Sequence, residues 1–222
     1  MGVEIVAHSV EVIGTHSTLL VPTSLRVRDG QVLLVSGDPN AGHTALALAL
    51  SGRLRPTGGT VRLDGSADRN ALRRKISVVD APDITEPDGA LTPRDVVAEG
   101  LSIAGSWSGR RKVRTWLADH ELAEFAGERF ENLLAHARAR LLVDLAVEAH
   151  GVNALVLDRP DRHGGDPAEW YSIARGEAGR GHAVIVLCSH HSAKDLDIEA
   201  ARIGAGDQAP ESSTPDHDEG AR

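Results

Sequence analysis

Val32-Leu33-Leu34-Val35-Ser36-Gly37-Asp38-Pro39-Asn40-Ala41-Gly42-His43-Thr44-Ala45-Leu46 decides how the rest of this chain is read. Val32 to Val35 is an apolar run of strand length, a glycine-bounded turn follows, and Ala45 to Leu50 continues as a strong helix former. Gly37 and Gly42 have the spacing of a phosphate-binding loop, G-x-x-x-x-G-K-[ST], with His43 in the lysine's place. Such a loop works because backbone N–H groups and a helix N-terminus converge on an anion. The hydroxyl that follows, here Thr44, binds magnesium, and the missing lysine would reach the outer phosphates. Two glycines alone fit a tight strand-to-helix turn equally well, so the flanking sequence has to decide.

Composition narrows the classes. The chain has 222 residues, 41% hydrophobic but only 3% aromatic, so Leu, Val, Ile and Ala must fill its core. A formal net charge of −8 argues against a nucleic-acid footprint, which needs a basic surface. The single cysteine, Cys188, lies inside an apolar run, and one cysteine permits no disulfide framework. The first residues lack the charged start and apolar stretch of a signal peptide, and no run approaches the ~18 apolar residues of a membrane span. The expectation is a cytoplasmic protein.

Upstream of the loop, Glu4–Val6, Val10–Ile13, Thr18–Val21 and Leu25–Val27 alternate with turns and read as antiparallel strands, with Asp29-Gly30 turning into the central strand. Downstream, Gly52 is placed to end the loop helix, Thr60 to Gly65 is a short strand and turn, and Ile76–Val79 is an apolar strand. The string Leu50-Ser51-Gly52-Arg53-Leu54-Arg55-Pro56-Thr57-Gly58-Gly59-Thr60-Val61-Arg62-Leu63-Asp64-Gly65, just after a phosphate loop, resembles the nucleotide-binding subunit of ABC transporters. Ser24 to Val32 matches that family's strand before the loop, and the likeness runs in order from about Val3 to His190.

The resemblance implies an α/β fold of the P-loop NTPase, ABC cassette type. It carries an N-terminal antiparallel β-region and an inserted helical subdomain. The cassette domain spans 1–205, with the subdomain at about 86–150. Within that stretch Thr92-Pro93 suits a helix start, Val113, Trp116, Leu117, Leu122 and Phe125 suit an apolar face, and Leu133 to Val147 is helical by propensity. Trp107 and Trp116 read as packing residues, with a surface toward a membrane partner as the alternative. Residues 206–222, rich in Gly, Pro, Ser, Asp and Glu, read as a disordered acidic tail.

The family's site residues carry over unevenly. Gly37, Asp38, Pro39, Asn40, Ala41, Gly42, His43, Thr44 and Ala45 stand where nucleotide is bound, and Thr44 with Asp158 where magnesium is held. Asn153-Ala154-Leu155-Val156-Leu157-Asp158 looks like the Walker B strand, but Arg159 occupies the place of the water-activating glutamate. A guanidinium has no acceptor and stays protonated, so it cannot take a proton from water. The signature L-S-G-G-Q corresponds to Leu133-Leu134-Ala135-His136-Ala137, where the serine and both glycines are lost while Arg138 and Arg140 remain. The expected glutamine is replaced around Asp80-Ala81, and no aromatic for adenine lies near Ile13-Gly14. The loop leading to Asp166 is one residue longer than the family's, which leaves Asp166 uncertain as the family aspartate. His190, after the strand Val184 to Ser189, matches the switch histidine that contacts the terminal phosphate.

His43 is shorter than lysine, and its reference pKa is about 6.5. Losing a charged hydrogen bond costs about 1.5–3 kcal/mol, or tenfold to more than a hundredfold in affinity. The expected function is an ABC transporter subunit that binds ATP and Mg2+ weakly and hydrolyses ATP slowly if at all. Its implied partners are a membrane permease at the inner face of the cell membrane and a second cassette, the same or different; nucleic acid is not among them. Two alternatives stand beside it: a nucleotide-independent scaffold, and the non-hydrolytic half of a heteromeric transporter.

Overall fold

The computed structural model describes residues 2–209, so only Gly206–Ala209 of the expected tail lie within it and 210–222 fall outside. Within that stretch the Gln208 carbonyl accepts from the Arg26 backbone N–H at 2.7 Å, and its side-chain amide donates to the Ser24 carbonyl at 3.1 Å.

Among the described residues, eight strands form two sheets. β1 (Glu4–Ile13), β2 (Thr18–Arg28) and β4 (Gly58–Leu63) make an antiparallel sheet in the order β2-β1-β4. β3 (Val32–Gly37), β5 (Ile76–Val79), β6 (Ala154–Asp158), β7 (Ala183–Ser189) and β8 (Ala201–Arg202) make a parallel sheet ordered β5-β6-β7-β3-β8. The four short N-terminal segments expected from the alternation are two long strands. The break expected after Val6 is a bulge, with Ser9 at φ 46 and the pairing register shifting between Ala7 and Val10. A bulge bends a strand without ending it.

The parallel strands are buried on both faces and so read as continuous apolar runs. Leu33 and Val35, Ala154 and Val156, Ile185 and Leu187 face the antiparallel sheet and helix α1 (His43–Leu50). Leu34, Leu155, Leu157, Val184, Val186 and Cys188 face the other way, toward α3 (Pro93–Ile103), α4 (Arg110–Asp119), α5 (Ala135–Glu148) and α6 (Pro167–Gly179). Burial pushes the Cys188 thiol up to about 12, as suits a small core residue.

Local signals account for the helix ends. Thr92 caps α3 in a capping box with Asp95, and Pro93 takes the first turn, where its missing N–H costs nothing. Gly52, at φ +68, follows the α1 cap Ser51; a Cβ there would lie 2.8 Å from the Arg69 carbonyl oxygen, so glycine is required. The basic segment before β5 is helix α2 (Arg69–Lys75), capped by Asp68. Trp116 packs as expected, 2% exposed, with Nε1 donating to Glu148 at 2.6 Å. Trp107 does not: it falls in the connection between α3 and α4 and is 83% exposed.

Candidate functional site

The site lies at the carboxyl ends of β3, β6 and β7, where open parallel sheets bind ligands. Register brings the pieces together: Gly37 pairs with Ser189, and Asp158 pairs with Leu187. β3 thus delivers the loop, β6 the carboxylate, and β7 the histidine that opens α7 (His190–Asp195).

The loop turns as its glycines allow. Asn40 has φ 66 and Gly42 φ 100, and a Cβ on Gly42 would lie 2.1 Å from the Leu19 carbonyl oxygen, an impossible contact. Asp38, Pro39 and Asn40 are exposed, and Ala41 and Gly42 partly so. Thr44 and Asp158, 114 residues apart, meet: the hydroxyl donates to Asp158 Oδ2 at 2.6 Å. Asp158 is fully buried and its Oδ1 has no hydrogen-bond partner among the described residues. Burial pushes its pKa above the ordinary carboxylate value, against the Thr44 bond and the charges of Arg159 and Arg162. A hydroxyl beside a carboxylate with an unmet oxygen is the right donor set for magnesium, which takes oxygen ligands.

His43 goes elsewhere. Its ring is buried, with Nε2 3.1 Å from the Cys188 carbonyl oxygen. A carbonyl only accepts, so Nε2 carries the proton and donates. Burial lowers the pKa of His43, overcoming the raising effect of that bond, and the ring is held neutral. His43 therefore presents no cation to the loop. His190 stays at the surface of the site, its Nδ1 2.9 Å from Ser36 Oγ and its Nε2 3.6 Å from Asp38 Oδ1.

Arg159 adopts the left-handed backbone at φ 52, with Nε 3.7 Å from Asp158 Oδ1. Beyond it the structure assembles residues that the sequence did not connect. Asp80, following β5, accepts two bonds from Arg138 of α5 at 2.7 and 3.0 Å, lies 3.1 Å from Arg162 Nη2 and 3.1 Å from His163 Nε2. Glu86 is 3.0 Å from Arg138 and 3.1 Å from Arg162, and Arg162 also donates to the backbone carbonyls of Asp80 and Asp158. Burial alone would raise the Asp80 pKa; the His163 and Arg138 bonds and the two guanidinium charges hold it well below the usual carboxylate range. Asp80, Glu86 and His163 have a metal-like spacing, their ligand atoms within 4.8 Å of one another. Both carboxylates are already engaged by Arg138 and Arg162, however, so the cluster is an ion-pair network.

The remaining expected positions make local contacts. Asp166 caps α6 by accepting from the Ala168 N–H at 2.9 Å. Leu134 stands at the cap of α5 with no side-chain bond to the helix, and His136 points to Glu169 at 3.8 Å. At Gly14 a Cβ would meet Leu19 Cγ at 3.1 Å, so leucine lies against the place the resemblance assigns to an adenine-stacking aromatic. One signal marked the network in advance: Arg138 sits on the same helical stripe as Leu141, Leu142 and Leu145, a charge on a buried face.

Comparison with known proteins agrees with this architecture. The chain is 32% identical over 186 residues to a hemin import ATP-binding protein of Bradyrhizobium diazoefficiens, covering 76% of this chain and 67% of the relative. It is 30% identical to a hemin import ATP-binding protein of Rhodopseudomonas palustris, covering 65% of this chain and 57% of that one. A taurine import ATP-binding protein of Pseudomonas entomophila is 29% identical, covering 66% and 56% respectively. Among solved structures, an ATP-binding subunit of an ABC transporter superposes with a TM-score of 0.61 over 86% of this chain and 81% of that one, at 14% identity, which speaks to the fold. The family profile described as "ABC transporter" matches residues 20–158, more than half of the chain, and the chain belongs to that family.

Proposed function

We propose that this chain is the ATP-binding subunit of an import-type ABC transporter whose own site holds nucleotide weakly and does not turn it over at an ordinary rate. Gly37 to Ala45 would line the phosphates, Thr44 and Asp158 would hold Mg2+, and residues 86–150 would be the inserted helical subdomain. Import is supported by the relatives, which are named as import proteins. The proposed setting is the cytoplasmic face of the membrane, against a permease and a second cassette of the same or another kind. A groove of about 330 Å³ beside the end of β5 supports a docking role: Val96, Leu142 and Leu145 line it, and Ile84 and Ile103 stand exposed at 49% and 79%.

The observation that carries weak binding is the neutral, inward-turned His43 ring bonded to the Cys188 carbonyl. Bound nucleotide would supply the reactive phosphate, while this chain supplies backbone donors, the Thr44 hydroxyl and the Asp158 carboxylate. Where water would have to be deprotonated stands Arg159, which only donates. The test is ATP binding by calorimetry with and without Mg2+. Magnesium-dependent binding that Thr44→Ala abolishes is expected. His43→Lys should tighten it about tenfold or more without restoring turnover; vigorous hydrolysis by that variant would refute the role given to Arg159.

A second reading, a scaffold with no nucleotide role, is favoured by the charge network around Asp80, whose carboxylates and guanidiniums engage one another. No binding at millimolar ATP would select it. Import direction is tested separately, by transport into vesicles containing the permease.

A further inference from the structure

The corner between α3 and α4 carries a surface that the nucleotide site does not use and that meets the docking groove only at Ile103. From Ile103 through Ala118 the sequence holds four cations, Arg110, Arg111, Lys112 and Arg114, and no acid, in a chain of net charge −8. All four are exposed. They issue from the first turns of α4, whose cap residue Gly109 makes no side-chain bond and whose first turn has no acidic residue. The positive end of the helix dipole adds to the same field.

Beside these cations stands the exposed Trp107. A Cβ on Gly109 would lie 2.5 Å from the Trp107 Nε1, which places the indole directly over the α4 N-terminus. Ile103, at the end of α3, is equally open to solvent. A cavity behind the cations, floored by Val113 and Leu117, is rimmed by Arg94, Arg110 and Arg114, with Asp95 as its one acid. An exposed indole next to clustered cations is the combination that seats a protein in the headgroup layer of an anionic bilayer, the ring at the interface and the charges on lipid phosphates.

We propose that this corner binds the surface of an anionic phospholipid membrane directly, independently of any permease. Charge complementarity commits the occupant. Among the described residues the four cations form no salt bridge, and the cavity they rim holds a single acid, Asp95, already spent on the α3 capping box. An anionic headgroup layer offers them phosphate beside an interface for the indole. Ile103 also borders the docking groove, so both surfaces lie on one side of the chain. That orientation, though not the lipid chemistry, rests on the transporter reading.

The purified full chain should sediment with vesicles of equimolar phosphatidylcholine and phosphatidylglycerol, weakly or not at all with phosphatidylcholine alone, and less at high salt. Trp116 and Trp170 are both 2% exposed, so a blue shift of tryptophan emission on vesicle binding reports Trp107. Neutralising Arg110, Arg111 and Lys112 to Gln should weaken binding about a hundredfold, at roughly fivefold per cation. Trp107→Ala should remove the blue shift. Arg55→Gln with Arg74→Gln and Arg175→Gln, three exposed cations elsewhere, removes the same charge and should leave binding near wild type. Circular dichroism checks that each variant is folded. Equal binding to neutral vesicles, an equal loss in the control triple variant, or binding without a blue shift would each overturn the proposal. Failure to bind either vesicle would overturn it too and leave the corner to a protein partner. No ATP or permease is present, so the result is separate from the fate of the nucleotide reading.

Discussion

Asp80 and Asp158 follow or end neighbouring parallel strands, yet their carboxylates live in opposite surroundings. Asp80 is gripped by Arg138, Arg162 and His163, and its charge is held far into the acid range. Asp158 has one hydroxyl donor, one oxygen without a partner and a pKa raised by burial. A pocket that receives a charged ligand has to leave some charge unmet, because a satisfied network gains nothing from a newcomer. A joint between elements leaves less: both Asp80 oxygens are hydrogen-bonded by Arg138, while Arg162 Nη2 and His163 Nε2 lie 3.1 Å away without hydrogen-bond geometry. On that criterion the loop half is the side suited to the ligand proposed for it. The far half, where family members present a glutamine, ties β5 to α5 and to the segment after β6.

The comparison breaks most visibly if the joint is opened. Asp80→Ala leaves the buried guanidinium of Arg138, and Arg162 beside it, with only Glu86 as acidic partner. Removing one side of a buried ion pair costs about 3–5 kcal/mol, and urea unfolding should show a loss on that scale. Arg138→Met should cost less, because Arg162 and His163 still face Asp80. The double variant should lose less than the sum of the two, since both act through one network. Strict additivity, or a loss within ±0.5 kcal/mol as at an ordinary surface site, would show that the joint carries no energy.

How much of this was legible follows from the range of each interaction. The loop, the flanking strands and the capping box are local, and Gly37, Gly42, Thr92 and Pro93 announce themselves over a few neighbours. Thr44 meeting Asp158 was expected only because family resemblance linked two distant strand ends. The Asp80–Arg138 pair spans 58 residues and no spacing encodes it; its only trace was an arginine on a buried stripe. The direction of His43 was equally hidden, because its partner is a backbone carbonyl 145 residues away and every residue has one. Ser9 misled in the opposite sense: a polar residue in a strand reads as a turn until the pairing register reveals a bulge.

The Asp158 side should respond more mildly. Thr44→Val keeps the shape of the side chain but leaves Asp158 Oδ2 without its donor in a buried setting, a penalty of about 1–3 kcal/mol. Thr44→Ser retains the hydroxyl and should lose only a methyl contact. Asp158→Asn sharpens the contrast with Asp80. Burial disfavours the charged form of Asp158, so the amide should match or exceed the wild type in thermal stability near neutral pH while removing any magnesium-dependent component of ATP binding. A large loss of stability in Asp158→Asn would mean that its charge is as fully compensated as that of Asp80, and the distinction between the two carboxylates would fail.

The smallest expected effect belongs to His43, and its sign is set by which state binds the proton. Burial lowers the folded-state pKa below the reference value of about 6.5, so in mildly acidic solution the unfolded chain binds a proton that the folded chain refuses. Stability from this group is therefore complete above the unfolded pKa and declines as pH falls through it toward the lower folded value, by at most about 1.4 kcal/mol per pH unit for one proton. Asp158 and Asp161 pull the other way by favouring the imidazolium, but burial is the larger influence. His43→Gln keeps an N–H for the Cys188 carbonyl and cannot titrate. The difference in melting temperature between wild type and this variant should shift in the variant's favour as the buffer moves from neutral to mildly acidic. Parallel curves would mean that the imidazolium is tolerated where the ring lies. The position would then keep a cation for phosphate after all, and the loop half would be closer to a working site than the neutral ring implies.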